Sequence, residues 1–213
     1  MTPCNVCGGG RFAPGPGGRR TPAGHAPRCE TCGSLERHRA LRARLSTLDR
    51  KWLAAMDVLQ LSADPSIDRS WFRHLTTSRY GGPGRGLDVE HIALPSASFD
   101  LVICCHVLEH VRRDDQALRE LARVTRPSGS MMVMVPSIAQ RRTTEDWGYA
   151  DRARDGHYRT YGRESLATRL RTVLPRHRAA FLPLRDPVTG VRDLAVAVTR
   201  SNAVIKRFGP AAP

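Results

Sequence analysis

The sequence predicts an α/β protein with a doubly wound, mostly parallel sheet and a small N-terminal zinc-binding head. Short apolar runs alternate with amphipathic segments from Met56 onward, which is typical of such sheets. Two of the runs are apolar throughout, as in strands buried on both faces. Two C-x-x-C pairs precede this pattern. We therefore expect a head at 1–36, a connecting helix at 37–55, an α/β domain at 56–200 and a tail at 201–213.

The head is defined by four cysteines, Cys4-x-x-Cys7 and Cys29-x-x-Cys32. This spacing predicts a tetrahedral Cys4 zinc site, since a two-residue spacer lets both thiolates of a pair face one ion. The Gly- and Pro-rich insert between the pairs cannot form a core, so the metal would supply the folding energy. A redox dithiol and free thiols are the alternatives. Such a head either binds nucleic acid or covers the next domain.

A helix is predicted for "SLERHRALRARLSTL", with Ser34 as its N-cap. Its apolar positions recur near helical spacing, and its other face is basic. The apolar positions are Leu35, Leu41, Leu45 and Leu48, and the basic face carries Arg37, His38, Arg39, Arg42 and Arg44.

The first half of the α/β domain begins with a strand at "MDVLQLSA" and a helix at "PSIDRSWFRHL", which opens with Pro65. A second strand follows at "LTTSRY", and "LDVEHIALP" is read as a strand end and loop. The run "FDLVICCHV" predicts a strand buried on both faces. Ligands of a parallel sheet bind beyond the carboxyl ends of such strands.

The second half begins with the amphipathic helix "RDDQALRELARVTRP", which Pro127 ends, and a buried strand at "GSMMVMVP". The loop from Ser137 to Gly162 is long enough to act as a functional lid, and its aromatic residues suit closure over a ligand. Within it, Thr143 or Thr144 of "TTED" would cap a short helix. The helix "RESLATRLRTVL" and the strands "HRAAFLPL" and "DLAVAVTR" follow, the last two as an antiparallel edge.

The net charge of +14 comes almost entirely from arginine. A basic surface suits RNA or phosphorylated partners, but the arginines are scattered, as a compositional bias would also leave them. No apolar run approaches the roughly 18 residues of a membrane span, and the N-terminus has no signal-peptide pattern. We expect a cytoplasmic protein without membrane contact. The oligomeric state stays open.

The segment "LPSASFDLVICCHVLEHVRRDDQALRELARVTRPSGSMMVMVP" resembles the core of the class I S-adenosylmethionine-dependent methyltransferases of the type 11 kind. Asp100, the Glu109-His110 pair and "RPSG" stand at the family's characteristic places, and the resemblance extends from Met56 to Arg200. The head and "GHYRTYG" are similar to a bacterial branch with an N-terminal Cys4 cluster. The resemblance implies a Rossmann-like fold, S-adenosylmethionine as cofactor and a small-molecule methyl acceptor.

The family's cofactor features are only partly present. Where a glycine-rich turn normally follows the first strand, the chain has Ser62 and Ala63, and no acid follows the second strand to bind the ribose. Asp64 is a possible substitute, and Asp88 with Val89 match the place that reads the adenine edge. The cofactor-binding candidates are Ser62, Ala63, Asp64, Tyr80, Asp88, Val89, Cys105 and His106.

If the acceptor must lose a proton, the candidate bases are His106, His157 and Tyr161, each of which is otherwise a packing residue. Arg159 either grips an anionic ligand or braces the loop. Two other functions remain open. One is an RNA methyltransferase that uses the head and the arginine face; the other is a methyltransferase-fold protein that catalyses a different reaction or serves as a binding partner.

The motif His106-x-x-Glu109-His110 has the inverted spacing of certain zinc proteases. That chemistry needs both histidines on one helix, whereas His106 falls where a buried strand ends. The sequence therefore predicts a ligand cleft here, lined by Cys105 and His106, rather than a metal site. Cys104 is expected to be a buried apolar residue.

Overall fold

The computed structural model describes residues 2–78 and 86–209. Its N-terminal part is a small head followed by two helices. Strands β1 (Phe12–Ala13) and β2 (Arg28–Cys29) pair antiparallel within the head. The helices are α1 (Glu36–Ser46) and α2 (Arg50–Ala54). The leucines predicted for α1 are buried, as its helical spacing indicated.

The rest of the described chain is an α/β domain built on one six-stranded sheet. Its elements in chain order are β3 (Asp57–Leu61), β4 (His74–Thr77), β5 (Phe99–Cys105), α3 (Asp114–Val124), β6 (Thr125–Met134), β7 (Glu145–Asp151), β8 (His157–Thr160), α4 (Arg163–Val173), β9 (Arg178–Arg185), β10 (Arg192–Thr199) and α5 (Asn202–Arg207). The strand order is β4-β3-β5-β6-β10-β9. The first four strands are parallel, and β10 runs antiparallel to both β6 and β9. The predicted doubly wound, mostly parallel sheet with an antiparallel edge is confirmed.

Two apolar cores lie on the two faces of the sheet. In β5, Val102 and Cys104 point to one core, and Leu101 and Ile103 point to the other, as the alternation of side chains along a strand requires. Helices α3 and α4 cover the first face. Helices α1, α2 and α5 cover the second, so the helices that follow the head form one layer of the α/β domain.

The sequence-based predictions of two short helices are wrong. The segment from Pro65 forms only a 3₁₀ turn at Arg69–Trp71, because the Asp64 and Asp68 side chains accept hydrogen bonds from the backbone N–H groups of Ser66 and Ser70 and close local turns. Thr143 and Thr144 do not cap a helix either. The chain continues from them into β7.

The start of α1 also differs from the prediction. The N-cap position is held by Leu35, and the Ser34 hydroxyl instead lies 3.2 Å from the sulfurs of both Cys4 and Cys32. The basic residues of α1 do not form one exposed face. Arg39 is fully buried, and Arg44 donates to the carbonyl of Phe208.

Part of the segment predicted as a tail packs against the α/β domain. Helix α5 begins at Asn202, and Phe208 is buried against Trp52 of α2, with ring centroids 5.7 Å apart. Among the described residues, no helix is both long and apolar enough to cross a membrane.

The segment from Ser137 to Gly162, predicted as a long loop, contains the antiparallel hairpin β7–β8. At the end of this segment, the backbone of Gly162 packs directly against the backbone of Thr143. A Cβ at position 162 would overlap backbone atoms of Thr143. The chain therefore requires glycine at this position.

We expect Gly162→Ala to lower the free energy of unfolding by about 1–3 kcal/mol, since the added methyl group forces the two backbones apart. Urea denaturation followed by circular dichroism measures the change. Gly10→Ala is the matched control, because no atom of the described residues other than its chain neighbours lies within 4 Å of a Cβ at Gly10. Equal stability of the two variants would contradict the close approach.

Candidate functional site

The four head cysteines lie together, as the sequence predicted. The Sγ atoms of Cys4 and Cys32 are 3.8 Å apart, those of Cys7 and Cys29 are 3.6 Å apart, and all four sulfurs lie within 4.8 Å of one another. Tetrahedral zinc with Zn–S bonds of about 2.3 Å places its sulfurs about 3.8 Å apart. The donor set and its spacing fit a structural zinc ion.

The surroundings of Cys4 favour the thiolate form that binds metal. Burial alone would raise the pKa of Cys4, but hydrogen bonds from the Ser34 hydroxyl and from the backbone N–H groups of Val6 and Cys7 lower it to about 7. Ser34 therefore supports the metal cluster rather than the helix.

A cavity of about 980 Å³, hereafter the larger cavity, lies between the head and the carboxyl ends of the sheet strands. The head contributes Pro16, Arg19 and Pro22 to its wall, and the start of α1 contributes His38. Burial lowers the pKa of His38 to about 4, so the imidazole that faces the cavity is neutral. The head thus covers the cleft of the α/β domain, one of the two roles that the sequence left open.

The strand ends that form the floor of the cleft hold residues other than glycine in left-handed backbone conformations. Ser62 follows β3 with φ 58°, His106 follows β5 with φ 54°, and Ser137 lies beyond β6 with φ 62°. Each such residue costs roughly 1–3 kcal/mol, and such strain concentrates at binding sites. Ser62 thus keeps the backbone conformation that glycine usually supplies at this turn.

The residues after Ser62 line the larger cavity but are already engaged. Ala63 donates its N–H to the carbonyl of Ser78 over 3.0 Å. Asp64 accepts hydrogen bonds from the backbone N–H of Ser66, at 2.7 Å, and from the Ser66 hydroxyl. One oxygen of Asp64 is therefore occupied in closing its own turn.

A second cavity of about 610 Å³, hereafter the smaller cavity, contains Asp88 and Val89. One Asp88 oxygen accepts from the backbone N–H of Glu90 at 2.8 Å, and the other lies 3.6 Å from Nδ1 of His91. The Asp88 side chain is 58% exposed, so it is accessible to a ligand. Tyr80, also predicted for this site, lies outside the described residues.

The two cavities meet at Ser62, His106 and His110, which line both of them. His106 donates its backbone N–H to the carbonyl of Met134 over 2.9 Å, which fixes it beside β6. Cys105 lines the larger cavity, and burial raises its pKa well above the usual value, so it is a neutral thiol. Cys104 is fully buried, as predicted.

Tyr161 does not face these cavities. It is 2% exposed, and its hydroxyl donates to Asp114 over 2.7 Å. Burial, together with the Asp114 charge, raises its pKa well above the usual value. A tyrosine held in this way packs the hairpin against α3, and its hydroxyl lies away from the two cavities in which a base would act.

Arg159 braces the loop, the second of its two predicted roles. It is 3% exposed and donates to the carbonyls of Val111, at 2.6 Å, and Arg112, at 2.9 Å, and to the carboxylate of Asp146, at 2.6 Å. Of the aromatic residues in this segment, Tyr158 lines the smaller cavity, whereas Tyr149 is exposed.

His157 lines the larger cavity next to His110, with ring centroids 4.6 Å apart. Burial lowers the pKa of His157. Glu109, which the sequence analysis did not place in the binding site, lies on the same wall and is 1% exposed. The signal that could have identified Glu109 is its position as a charged residue within the largely apolar segment "CCHVLEHV".

Part of the chain matches a known protein family. Residues 53–133 match the methyltransferase domain family. The ubiquinone/menaquinone biosynthesis C-methyltransferase UbiE of Ralstonia pickettii is 43% identical over 47 residues, which are 22% of this chain and 19% of that protein. The chain thus matches about a fifth of the length of this curated relative.

Two solved structures share the fold. The glycopeptide N-methyltransferase MtfA, complexed with sinefungin, is 15% identical, with a TM-score of 0.56 over 85% of this chain and 99% of that one. The Burkholderia thailandensis 1,6-didemethyltoxoflavin-N1-methyltransferase, with bound 1,6-didemethyltoxoflavin and S-adenosylhomocysteine, is 18% identical, with a TM-score of 0.54 over 76% of this chain and 79% of that one. The chain has the fold of class I S-adenosylmethionine-dependent methyltransferases, and its segment 53–133 matches the methyltransferase domain family.

Proposed function

We propose that the protein transfers a methyl group from S-adenosylmethionine to a small-molecule acceptor. The observation that carries this proposal is the pair of cavities that meet at the carboxyl ends of β3 and β5. Ligands of doubly wound sheets bind at this edge. The smaller cavity, with Asp88 and Val89, suits the adenosyl group, and the larger one suits the acceptor.

The shared wall of the two cavities is where the methyl group would be transferred. The sulfonium of the cofactor is itself a strong methyl donor, so the protein mainly has to hold the acceptor in line with it. His106 and His157 are the candidate bases for an acceptor that must lose a proton. The lowered pKa of His157 keeps its imidazole neutral near pH 7, which is the form that accepts a proton.

The size of the larger cavity and the two elements that wall it favour a small-molecule acceptor. Its volume of about 980 Å³ lies in the usual range for small-ligand sites. The head forms one wall, and Asp155 and His157 of the β7–β8 hairpin form another. We infer that the head and this hairpin together act as the lid that limits the acceptor's size.

Ribose binding in this cleft would rely on neutral groups. Ser62 and Ser78 line the smaller cavity, whereas Glu90 is engaged by the backbone N–H of Arg113 at 2.9 Å and by its Nε at 3.1 Å. A hydrogen bond to a carboxylate is worth about 1.5–3 kcal/mol, against about 1 kcal/mol for a neutral one. We therefore expect weaker cofactor affinity than a ribose-binding acid would give.

Asp88→Ala is expected to weaken binding of S-adenosylmethionine and S-adenosylhomocysteine by about 10-fold or more, since it removes a charged acceptor worth about 1.5–3 kcal/mol. Calorimetric titration of the zinc-loaded protein measures this. Asp115→Asn is the matched control, because Asp115 lies at the start of α3, where it pairs with Arg119. Absence of binding to the folded wild-type protein at millimolar ligand would contradict the proposed function.

A further inference from the structure

The carboxyl group of Glu109 is buried and has no hydrogen-bond partner among the described residues. The residue as a whole is 1% exposed. A buried carboxylate is rare unless it is paired, since removing an unpaired charge from water costs several kcal/mol. A cation next to Glu109 would stabilise its carboxylate at this buried position.

Two histidines converge on this carboxylate. Ligand atoms of Glu109, His110 and His157 all lie within 4.8 Å of one another, and the two imidazole rings meet at 82°. Metal–ligand bonds of about 2.1 Å place tetrahedral ligand atoms about 3.4 Å apart. The three ligand atoms therefore already lie close enough together to converge on one ion.

The backbone segments that carry the three side chains are held against each other. Arg159, from the same strand as His157, donates to the carbonyls of Leu108, at 3.3 Å, and Val111, at 2.6 Å, on either side of Glu109 and His110. Trp147 donates to the carbonyl of His157 over 2.9 Å. Such bracing is what an ion site requires, because ligands must be fixed before the ion arrives.

His106 offers a simpler neutralisation of Glu109, but an incomplete one. Its Nδ1 lies 3.4 Å from Oε1 of Glu109, which is longer than a charge-assisted hydrogen bond of about 2.8 Å. Nε2 of His106 is itself buried without a partner among the described residues. Protonation of His106 would thus leave the second Glu109 oxygen unpaired.

We propose that Glu109, His110 and His157 bind a divalent transition-metal ion, such as Zn²⁺, Co²⁺ or Mn²⁺, at the wall of the larger cavity. Two imidazoles and one carboxylate with open coordination positions form a recurrent set for such ions. The three residues line the larger cavity, so the open positions face it. An imidazole bound to an ion cannot act as a base, so with the ion bound His106 is the remaining candidate base. An acceptor with an anionic oxygen or a basic nitrogen would complete the coordination; this last point rests on the proposed function.

The test is Co²⁺ uptake by protein whose Cys4 cluster is already filled with zinc, measured by metal analysis after equilibrium dialysis and by absorption spectroscopy. Wild-type protein is expected to bind one further equivalent of cobalt. Its spectrum should lack the intense sulfur-to-metal bands that cobalt shows in a Cys4 site. No cofactor or acceptor is added, so the result does not depend on methyl transfer.

His157→Gln and Glu109→Gln are expected to weaken this second binding by more than about 100-fold, since even loss of an outer-shell partner costs 10–100-fold. His157 is only half-buried, so its variant keeps the test valid if the Glu109 variant fails to fold. His25→Gln is the matched control, because His25 lies exposed in the head and should leave the uptake unchanged.

Three results would overturn the metal site: no second equivalent in the wild-type protein, uptake that is equal in wild type and His157→Gln, or sulfur-to-metal bands that show cobalt entering the head. Calorimetric titration with S-adenosylhomocysteine is run on the same zinc-loaded protein without cobalt. Failure of that titration alone would refute the proposed function, and failure of cobalt uptake alone would refute only the second metal site.

Discussion

Arg39→Met is expected to lower the free energy of unfolding by about 3–5 kcal/mol, the usual cost of removing one partner of a buried ion pair. Arg39 and Asp186 are both fully buried, and two hydrogen bonds of 2.8 and 2.7 Å join them. Arg39 also donates to the carbonyls of Pro27, at 2.8 Å, and Ser34, at 2.9 Å. One guanidinium therefore ties the head to the turn between β9 and β10.

Urea denaturation measures this effect, with Arg119→Met as the control. Arg119 forms an exposed pair with Asp115 within α3, and its loss should cost less than about 1 kcal/mol. A cost for Arg39→Met within about 1 kcal/mol of that control would contradict the role of the buried pair.

The same ion pair makes stability depend on pH. Burial alone would raise the pKa of Asp186, but hydrogen bonds from Arg39 and Thr189 lower it below its usual value. A carboxyl whose pKa is lower in the folded state stabilises the protein above its unfolded pKa of about 3.9 and loses that contribution as the pH falls further.

Cys29→Ser is expected to abolish zinc binding and to unfold the head. Structural zinc contributes about 10–16 kcal/mol of binding free energy in small domains, and the short β1–β2 pair cannot replace it. Hydrogen exchange should become fast at backbone amides of 2–35, and metal analysis should show loss of zinc. Because the head covers the larger cavity, acceptor binding should weaken as well.

Cys104→Ala is the control for this experiment, since Cys104 is buried in the sheet and lies outside the cluster. It should keep the zinc and the slow exchange of the head. Slow exchange in zinc-free Cys29→Ser would show that the head folds without metal and would contradict the predicted role of the cluster.

The sequence predicted the sheet and the cysteine cluster because local patterns determine both. A strand buried on both faces, such as β5, is apolar throughout, and a C-x-x-C pair is a local geometric unit. The prediction of a helix from Pro65 is wrong because the side chains of Asp64 and Asp68 close local turns. Hydrophobic periodicity carries no information about such side-chain hydrogen bonds.

Long-range pairs could not be predicted in this way. The helical pattern places Arg39 on a basic face, although its partner Asp186 lies 147 residues further along the chain. His157 is a candidate base in the sequence, but only the fold of β8 brings it to Glu109 and His110. The sequence places His106 and His110 on different elements, and the metal site that we propose uses His110 together with His157 instead.

The net charge of +14 was the other ambiguous signal. Several arginines are used internally: Arg39 and Arg159 are buried, and Arg126 bridges Asp57 and Asp100. These contacts within the chain explain part of the arginine content without requiring a nucleic-acid partner. An RNA partner therefore stays a prediction.

Hydrogen exchange of the zinc-loaded protein with and without S-adenosylhomocysteine tests the central claim most directly. We predict slower exchange at backbone amides of 61–64, 86–92 and 105–111, the segments that line the smaller cavity and its junction with the larger one. The 570 Å³ cavity between Thr144 and Thr168 should show no change. Protection confined to that third cavity, or no protection at saturating ligand, would contradict cofactor binding at the strand ends.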